Sequence, residues 1–148
     1  MPSIVFQVDI EAERSQVAHA IASEAGIRGW WTEAAAVPDG VGKVLRLGFA
    51  MAPFPFELRI EEASEERVRW ASVGAFPPHW TGTEMQWDVA DNPDGTGTRV
   101  QFRHSGWPSD DGMFGATAYT WGQLMASLKA YAETGSTAMR LPSAPIEA

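Results

Sequence analysis

Residues 114–133 read FGATAYTWGQLMASLKAYAE, and this stretch decides the fold. Phe114, Thr117, Trp121, Leu124, Met125, Leu128 and Tyr131 recur close to a 3.6-residue period, which predicts an amphipathic helix with one long apolar stripe. Ser109, Asp110 and Asp111 supply N-cap candidates with acidic charge at the positive end of the helix dipole. Gly135 stands where a C-terminal cap is expected. Residues 136–148 hold two prolines and few large apolar residues beyond Leu141 and Ile146, so they are expected to form a loose tail after a single domain over 1–135.

Upstream, the period is two. Ile4, Phe6, Val8 and Ile10 alternate with Val5, Gln7 and Asp9 to give a first strand. Val17 and Ile21, with Ala18, Ala20 and Ala22, then make a helical stripe that Gly26 should end, and 27–32 form a second short helix closing on Trp30-Trp31. Residues 34–42, with Pro38 and Asp39-Gly40, read as a loop. Between 43 and 106 the inward candidates are Leu45, Leu47 and Phe49; Phe54, Phe56, Leu58 and Ile60; Val68 and Trp70; Met85, Trp87 and Val89; Val100, Phe102 and His104. Charged residues occupy many of the alternate positions, and short turns, including Asn92-Pro93-Asp94-Gly95, separate the runs. This is an antiparallel meander of about five strands with one solvated face. A curved sheet with one apolar face needs a cover, and the 114–133 helix is the only element long enough. The fold class is therefore α+β, a curved antiparallel sheet wrapped around a long C-terminal helix, with two short helices after the first strand.

Composition narrows the function. The 148 residues carry 11 Lys+Arg against 19 Asp+Glu, a net charge of −8, which argues against nucleic acid or an anionic membrane as partner. The absence of Cys removes disulfides, thiolate nucleophiles and Cys-based metal sites. His19, His79 and His104 fall on three different predicted elements, and no His-x-x-x-His or Glu-x-x-His spacing occurs, so neither a metal nor a cofactor is expected. Gly95-Thr96-Gly97-Thr98 is a hairpin turn rather than a phosphate loop, and no Gly-x-Ser-x-Gly elbow is present. The N-terminal residues show no signal-peptide pattern and no apolar run approaches a membrane span, so a cytoplasmic location without membrane insertion is expected. The chain also contains 7 Trp, more than packing a domain of this size requires.

Several segments together resemble the helix-grip proteins of the SRPBCC (START, polyketide cyclase) superfamily, and within it the branch related to the C-terminal domain of the heat-shock-protein-90 ATPase activator. They are Trp30-Trp31-Thr32, Trp80-Thr81-Gly82-Thr83 leading to Trp87-Asp88, the run from Gly97 to Trp107, Tyr119-Thr120-Trp121-Gly122-Gln123-Leu124, Ser127-Leu128-Lys129-Ala130-Tyr131 and Glu133-Thr134-Gly135. The resemblance spans roughly 4–135. It implies a deep cavity between the concave sheet face and the long helix, holding a small, largely apolar molecule. Such a scaffold hosts binders, cyclases and protein-contact modules alike, so it does not fix an activity.

The candidate ligand-binding residues are Trp30, Trp31, Leu47, Phe49, Phe56, Trp70, Trp80, Met85, Trp87, Phe102, His104, Trp107, Tyr119, Trp121 and Met125. Core packing and pocket lining draw on the same residue types, so each apolar member fits either role. Trp30, Trp31, Trp80 and Trp107 lie in loops or at helix ends, where they would rim an opening or plug it. His104, in register with Val100 and Phe102, should point inward, either as a satisfied core histidine or as a ligand contact. Tyr119 lies just off the helical stripe, at the cavity edge or on the surface.

Three functions follow. The first is a carrier or sensor for a lipid- or polyketide-like molecule. The second is a cyclase or dehydratase-like enzyme in which His104 or Tyr119 shuttles protons. The third is a chaperone-interacting module, although the activator's separate N-terminal domain for chaperone contact has no counterpart in these residues. No catalytic residue is assigned, and the sequence leaves the oligomeric state open.

Overall fold

The structure, a computed structural model, describes residues 1–146. Seven strands form one antiparallel sheet: β1 (Ile4–Ile10), β2 (Ala34–Ala36), β3 (Val44–Gly48), β4 (Phe56–Ala63), β5 (Arg67–Ser72), β6 (Glu84–Asp91) and β7 (Thr98–Ser105). The spatial order is β1-β7-β6-β5-β4-β3-β2, so β2 to β7 run as a meander and β1 returns to pair with β7. Helices α1 (Arg14–Ala22) and α2 (Glu24–Trp30) follow β1, and α3 (Phe114–Thr134) closes the fold. The α+β architecture expected from the alternation and the long terminal stripe is the one observed, and it is the helix-grip arrangement that the resemblance implies.

Registers place the inward residues side by side. Val100, Phe102 and His104 of β7 face Val8, Phe6 and Ile4 on β1, and Val89, Trp87 and Met85 on β6. Trp70 pairs with Met85 on one side and Ile60 on the other. Cross-strand partners on one sheet face lie about 5 Å apart, close enough for these large side chains to pack directly. The α3 stripe covers them with Trp121, Leu124, Met125 and Leu128, all buried. The outer face is charged and paired across strands, as in Arg67 with Asp88 and Arg99 with Asp9.

Four local expectations change. The break between α1 and α2 falls at Ser23, whose hydroxyl accepts the Gly26 N–H at 2.9 Å, so Gly26 lies in the first turn of α2 rather than ending α1. A side chain at Gly26 would strike the Ala20 backbone, and the residue is there for the close approach. The loop expected over 34–42 contributes the three-residue strand β2, paired with β3 through Ala34 and Gly48. Phe54, expected to point inward with Phe56, precedes β4 and is exposed. Met113, not Ser109, Asp110 or Asp111, is the residue before α3, and the Ser109 hydroxyl bonds the Asp111 carboxylate instead. Gly135 caps the helix in the left-handed region, φ 75°, as its position suggested.

The segment expected to be a loose tail is tied to the body over much of its described length. The Leu141 N–H donates to the Trp31 carbonyl and the Ala50 N–H to the Pro142 carbonyl, both at 2.9 Å. Residues 147 and 148 of that tail lie outside the described residues.

Candidate functional site

The cavity that the resemblance implies is largely occupied by the protein itself. Trp31 stacks on Trp30 at 5.4 Å and on Trp70 at 6.1 Å, and its ring lies 5.1 Å from Trp121. Trp80 stacks on Trp121 at 6.1 Å from the outer side. Trp87 meets Trp30, Trp70 and Trp121 edge to face, and Phe102 packs between Trp87 and Trp121. Each such pair contributes about 0.5–1.5 kcal/mol beyond its burial, so this cluster is a packed plug. Trp30, Trp31, Trp80 and Trp107, the four candidates for an opening, are all buried. The Trp30 N–H reaches the Ala20 carbonyl at 2.7 Å, anchoring α2 to α1.

What remains open is the outer end of the interior, a cavity of about 290 Å³ beside the N-terminal half of α3. Its walls come from Met113, Ala116, Thr117, Thr120, Trp121 and Leu124 of α3 and the residue before it. Trp31, Phe49, Met51, Ala52 and Phe56 form a second side, Phe76, Pro77, His79 and Trp80 a third, and Leu141 reaches in from the tail. Met51 and Met113 are exposed at the rim. The lining is apolar except for His79, Thr117 and Thr120, and His79 is the single titratable side chain in it. Burial lowers the His79 pKa, which favours the neutral ring. Thr120 spends its hydroxyl on the Ala116 carbonyl at 3.1 Å. The Thr117 side chain is only 7% exposed, and its hydroxyl makes no hydrogen bond among the described residues.

Of the candidates, Trp31, Phe49, Phe56, Trp80 and Trp121 line this cavity. Trp30, Leu47, Trp70, Met85, Trp87, Phe102, Trp107 and Met125 are buried behind it in the core. Tyr119 is 71% exposed on α3 and does not line it. Sequence reasoning missed Met51, Ala52, Phe76, Pro77, His79, Met113, Ala116, Thr117, Thr120, Leu124 and Leu141 as lining residues. Thr117 and Leu124 were already on the α3 stripe, so the helical period carried a signal for them. The loop residues have none, because loops have no period.

His104 is fully buried and satisfied at both ring nitrogens. The Trp121 indole N–H donates to Nδ1 at 3.1 Å, so Nδ1 is the bare nitrogen and Nε2 carries the proton. Nε2 lies 2.9 Å from the Thr83 hydroxyl, which in turn donates to the Trp80 carbonyl at 2.6 Å. Desolvation, aided by the charge of His79, pushes the His104 pKa down to about 3. A neutral imidazole with both nitrogens committed and no place in the cavity wall has no proton to exchange with a ligand. Its chemistry here is to join the end of β7 to α3 and to the turn before β6.

Among the described residues, no group of His, Asp and Glu could hold a metal ion, and no helix is long and apolar enough to cross a membrane.

Comparison with solved structures gives the same architecture. The chain matches the solution structure of the Aha1 dimer from Colwellia psychrerythraea with a TM-score of 0.82 at 24% identity, covering 91% of this chain and 98% of that one. A Staphylococcus saprophyticus protein matches with a TM-score of 0.74 at 18% identity, covering 98% and 99%. DynU16, from the dynemicin biosynthetic locus, matches with a TM-score of 0.72 at 18% identity, covering 91% of this chain and 48% of its own. At these identities the likeness is one of fold. No curated protein matches the sequence. The family described as Activator of Hsp90 ATPase homolog 1-like protein matches residues 11–133, nearly the whole sheet-and-helix body, and the chain belongs to that family within the SRPBCC superfamily.

Proposed function

We propose that the protein binds a small, uncharged, largely apolar molecule in the cavity beside α3, as a carrier or sensor. The carrying observation is the cavity itself: about 290 Å³, apolar-walled, and among the described residues free of any lining carboxylate, ammonium or guanidinium. That volume is at the small end of ligand pockets and suits a molecule of two or three rings. A charged group placed there would lose hydration without gaining a counter-ion. The unused Thr117 hydroxyl and the His79 ring offer hydrogen bonds to one polar function on an otherwise apolar body. Trp31, Phe49, Phe56, Trp80 and Trp121 would supply the flat contact surfaces. DynU16's origin in the dynemicin biosynthetic locus is compatible with a small-molecule ligand.

The enzymatic alternative loses its proposed proton carriers, since His104 is locked in the core and Tyr119 faces solvent. A chaperone-binding role has only the family relationship behind it.

The test is a fluorescence titration with neutral N-phenyl-1-naphthylamine and its anionic relative 8-anilinonaphthalene-1-sulfonate. The neutral dye should bind with quenching of the Trp emission, and the sulfonate should bind more weakly. No saturable binding of the neutral dye, or a preference for the anion, would sink the reading.

A further inference from the structure

We infer that the C-terminal segment 139–144 is a strap forming one wall of the cavity, and that Leu141 sets the length of ligand admitted. The inference rests on the binding function proposed above. It comes from how the segment is held. Leu141 lines the cavity, and its own N–H is bonded to the carbonyl of Trp31, another lining residue. Next along the strap, the Pro142 carbonyl accepts from Ala50, which sits between the lining residues Phe49 and Met51. On the α3 side, the Ser127 hydroxyl reaches the carbonyls of both Trp30 and Met139. Arg140 donates to the Arg28 carbonyl at 3.0 Å. The strap is thus fastened to the cavity wall itself, and it cannot lift without opening the cavity.

The body is shaped to receive it. A methyl group at Gly48 would collide with the Ala144 carbonyl oxygen, so β3 keeps a slot where the strap crosses. Met139, Leu141, Ala144 and Ile146 are half-buried, and most residues between them are exposed, the pattern of a segment laid along a surface. The fastenings are a few single hydrogen bonds under little buried area, which places the strap among the parts of the fold that open most easily. The family match ends at residue 133. The wall that Leu141 contributes therefore lies outside the matched region, and it distinguishes this pocket from one built of that region alone.

The test compares two neutral probes, the compact N-phenyl-1-naphthylamine and the longer 1,6-diphenyl-1,3,5-hexatriene. They are titrated against the full chain, Leu141→Ala and Gly48→Ala. Leu141→Ala removes the wall's side chain; Gly48→Ala changes no lining residue but displaces the strap at Ala144. Relief of overpacking should tighten binding of the long probe about tenfold in both variants, with the compact probe bound by all three proteins. Hydrogen exchange at the Leu141 amide should also quicken in Gly48→Ala. Equal affinity for the long probe in wild type and both variants overturns the strap and leaves the pocket standing. Failure of all three proteins to bind either probe overturns both. Should circular dichroism show Gly48→Ala unfolded, Leu141→Ala decides alone.

Discussion

The indole N–H of Trp121 on α3 donates to Nδ1 of His104 on β7 at 3.1 Å, and this one bond fixes the tautomer of a histidine at the centre of the fold that burial holds neutral. The unfolded chain offers the same ring to water, where it titrates near 6.5. Folded His104 stays neutral down to about 3. Between those values the unfolded state holds the extra proton. The contribution is therefore complete above pH 6.5 and is lost as pH falls, by about 1.4 kcal/mol per pH unit. Urea midpoints should drop steadily from pH 6.5 to 4.5, before most carboxylates titrate. His79, also lowered, acts with the same sign, so the comparison belongs in a His79→Gln background. Adding His104→Gln there should flatten the slope; an unchanged slope would contradict the assignment.

Thr83 is the other half of that arrangement. Its hydroxyl oxygen accepts a hydrogen bond from His104 Nε2–H and its O–H donates to the Trp80 carbonyl. Thr83→Val keeps the shape and strands the buried Nε2–H of His104, while the Trp80 carbonyl keeps the Thr83 backbone N–H at 2.9 Å; the loss should be about 1–3 kcal/mol. Denaturant unfolding should show it at pH 7, whereas Thr83→Ser should recover most of it.

Ala116 lines the cavity from α3 yet is itself solvent-exposed. Ala116→Trp should fill the mouth without disturbing the core. N-phenyl-1-naphthylamine affinity is expected to fall at least about tenfold, while stability stays within about 0.5 kcal/mol. Undiminished binding would mean the dye sits elsewhere.

Gly29 on α2 lies so close to the Tyr131 ring on α3 that a methyl group there would overlap it. Gly29→Ala should cost about 1–3 kcal/mol through overpacking, despite the better helix propensity of alanine. Thermal unfolding of Gly29→Ala beside Gly29→Ala/Tyr131→Leu distinguishes this from a backbone effect, since the smaller partner should restore stability.

Legibility in the sequence followed periodicity. Strands β1 and β3 to β7, and the stripe of α3, could be read because each buries one face, and burial writes a period of two or of 3.6 into the chain. Strand β2 could not: Ala34, Ala35 and Ala36 carry no alternation, and only pairing with β3 makes them a strand. The α1–α2 boundary was misplaced because Gly26 resembles a helix end, whereas a serine cap and a close approach to Ala20 decide the matter. The tail's spaced apolar residues, Met139, Leu141, Ala144 and Ile146, held a faint signal that its prolines and small residues masked.

The seven tryptophans mark the boundary between the two kinds of knowledge. The sequence by itself determined the inward set on strands and helix, because side-chain direction in a regular element follows from position. It also determined the uncharged, Cys-free character of the interior. Only the tertiary structure decided that Trp30 and Trp107 are packed away from the cavity while Trp31 and Trp80 pack into the core and wall it, and that His104 is locked rather than available. Whether an aromatic ring plugs a cavity or lines one depends on the volume that all its neighbours leave unfilled. That volume is a property of the assembled fold and of no single stretch of chain.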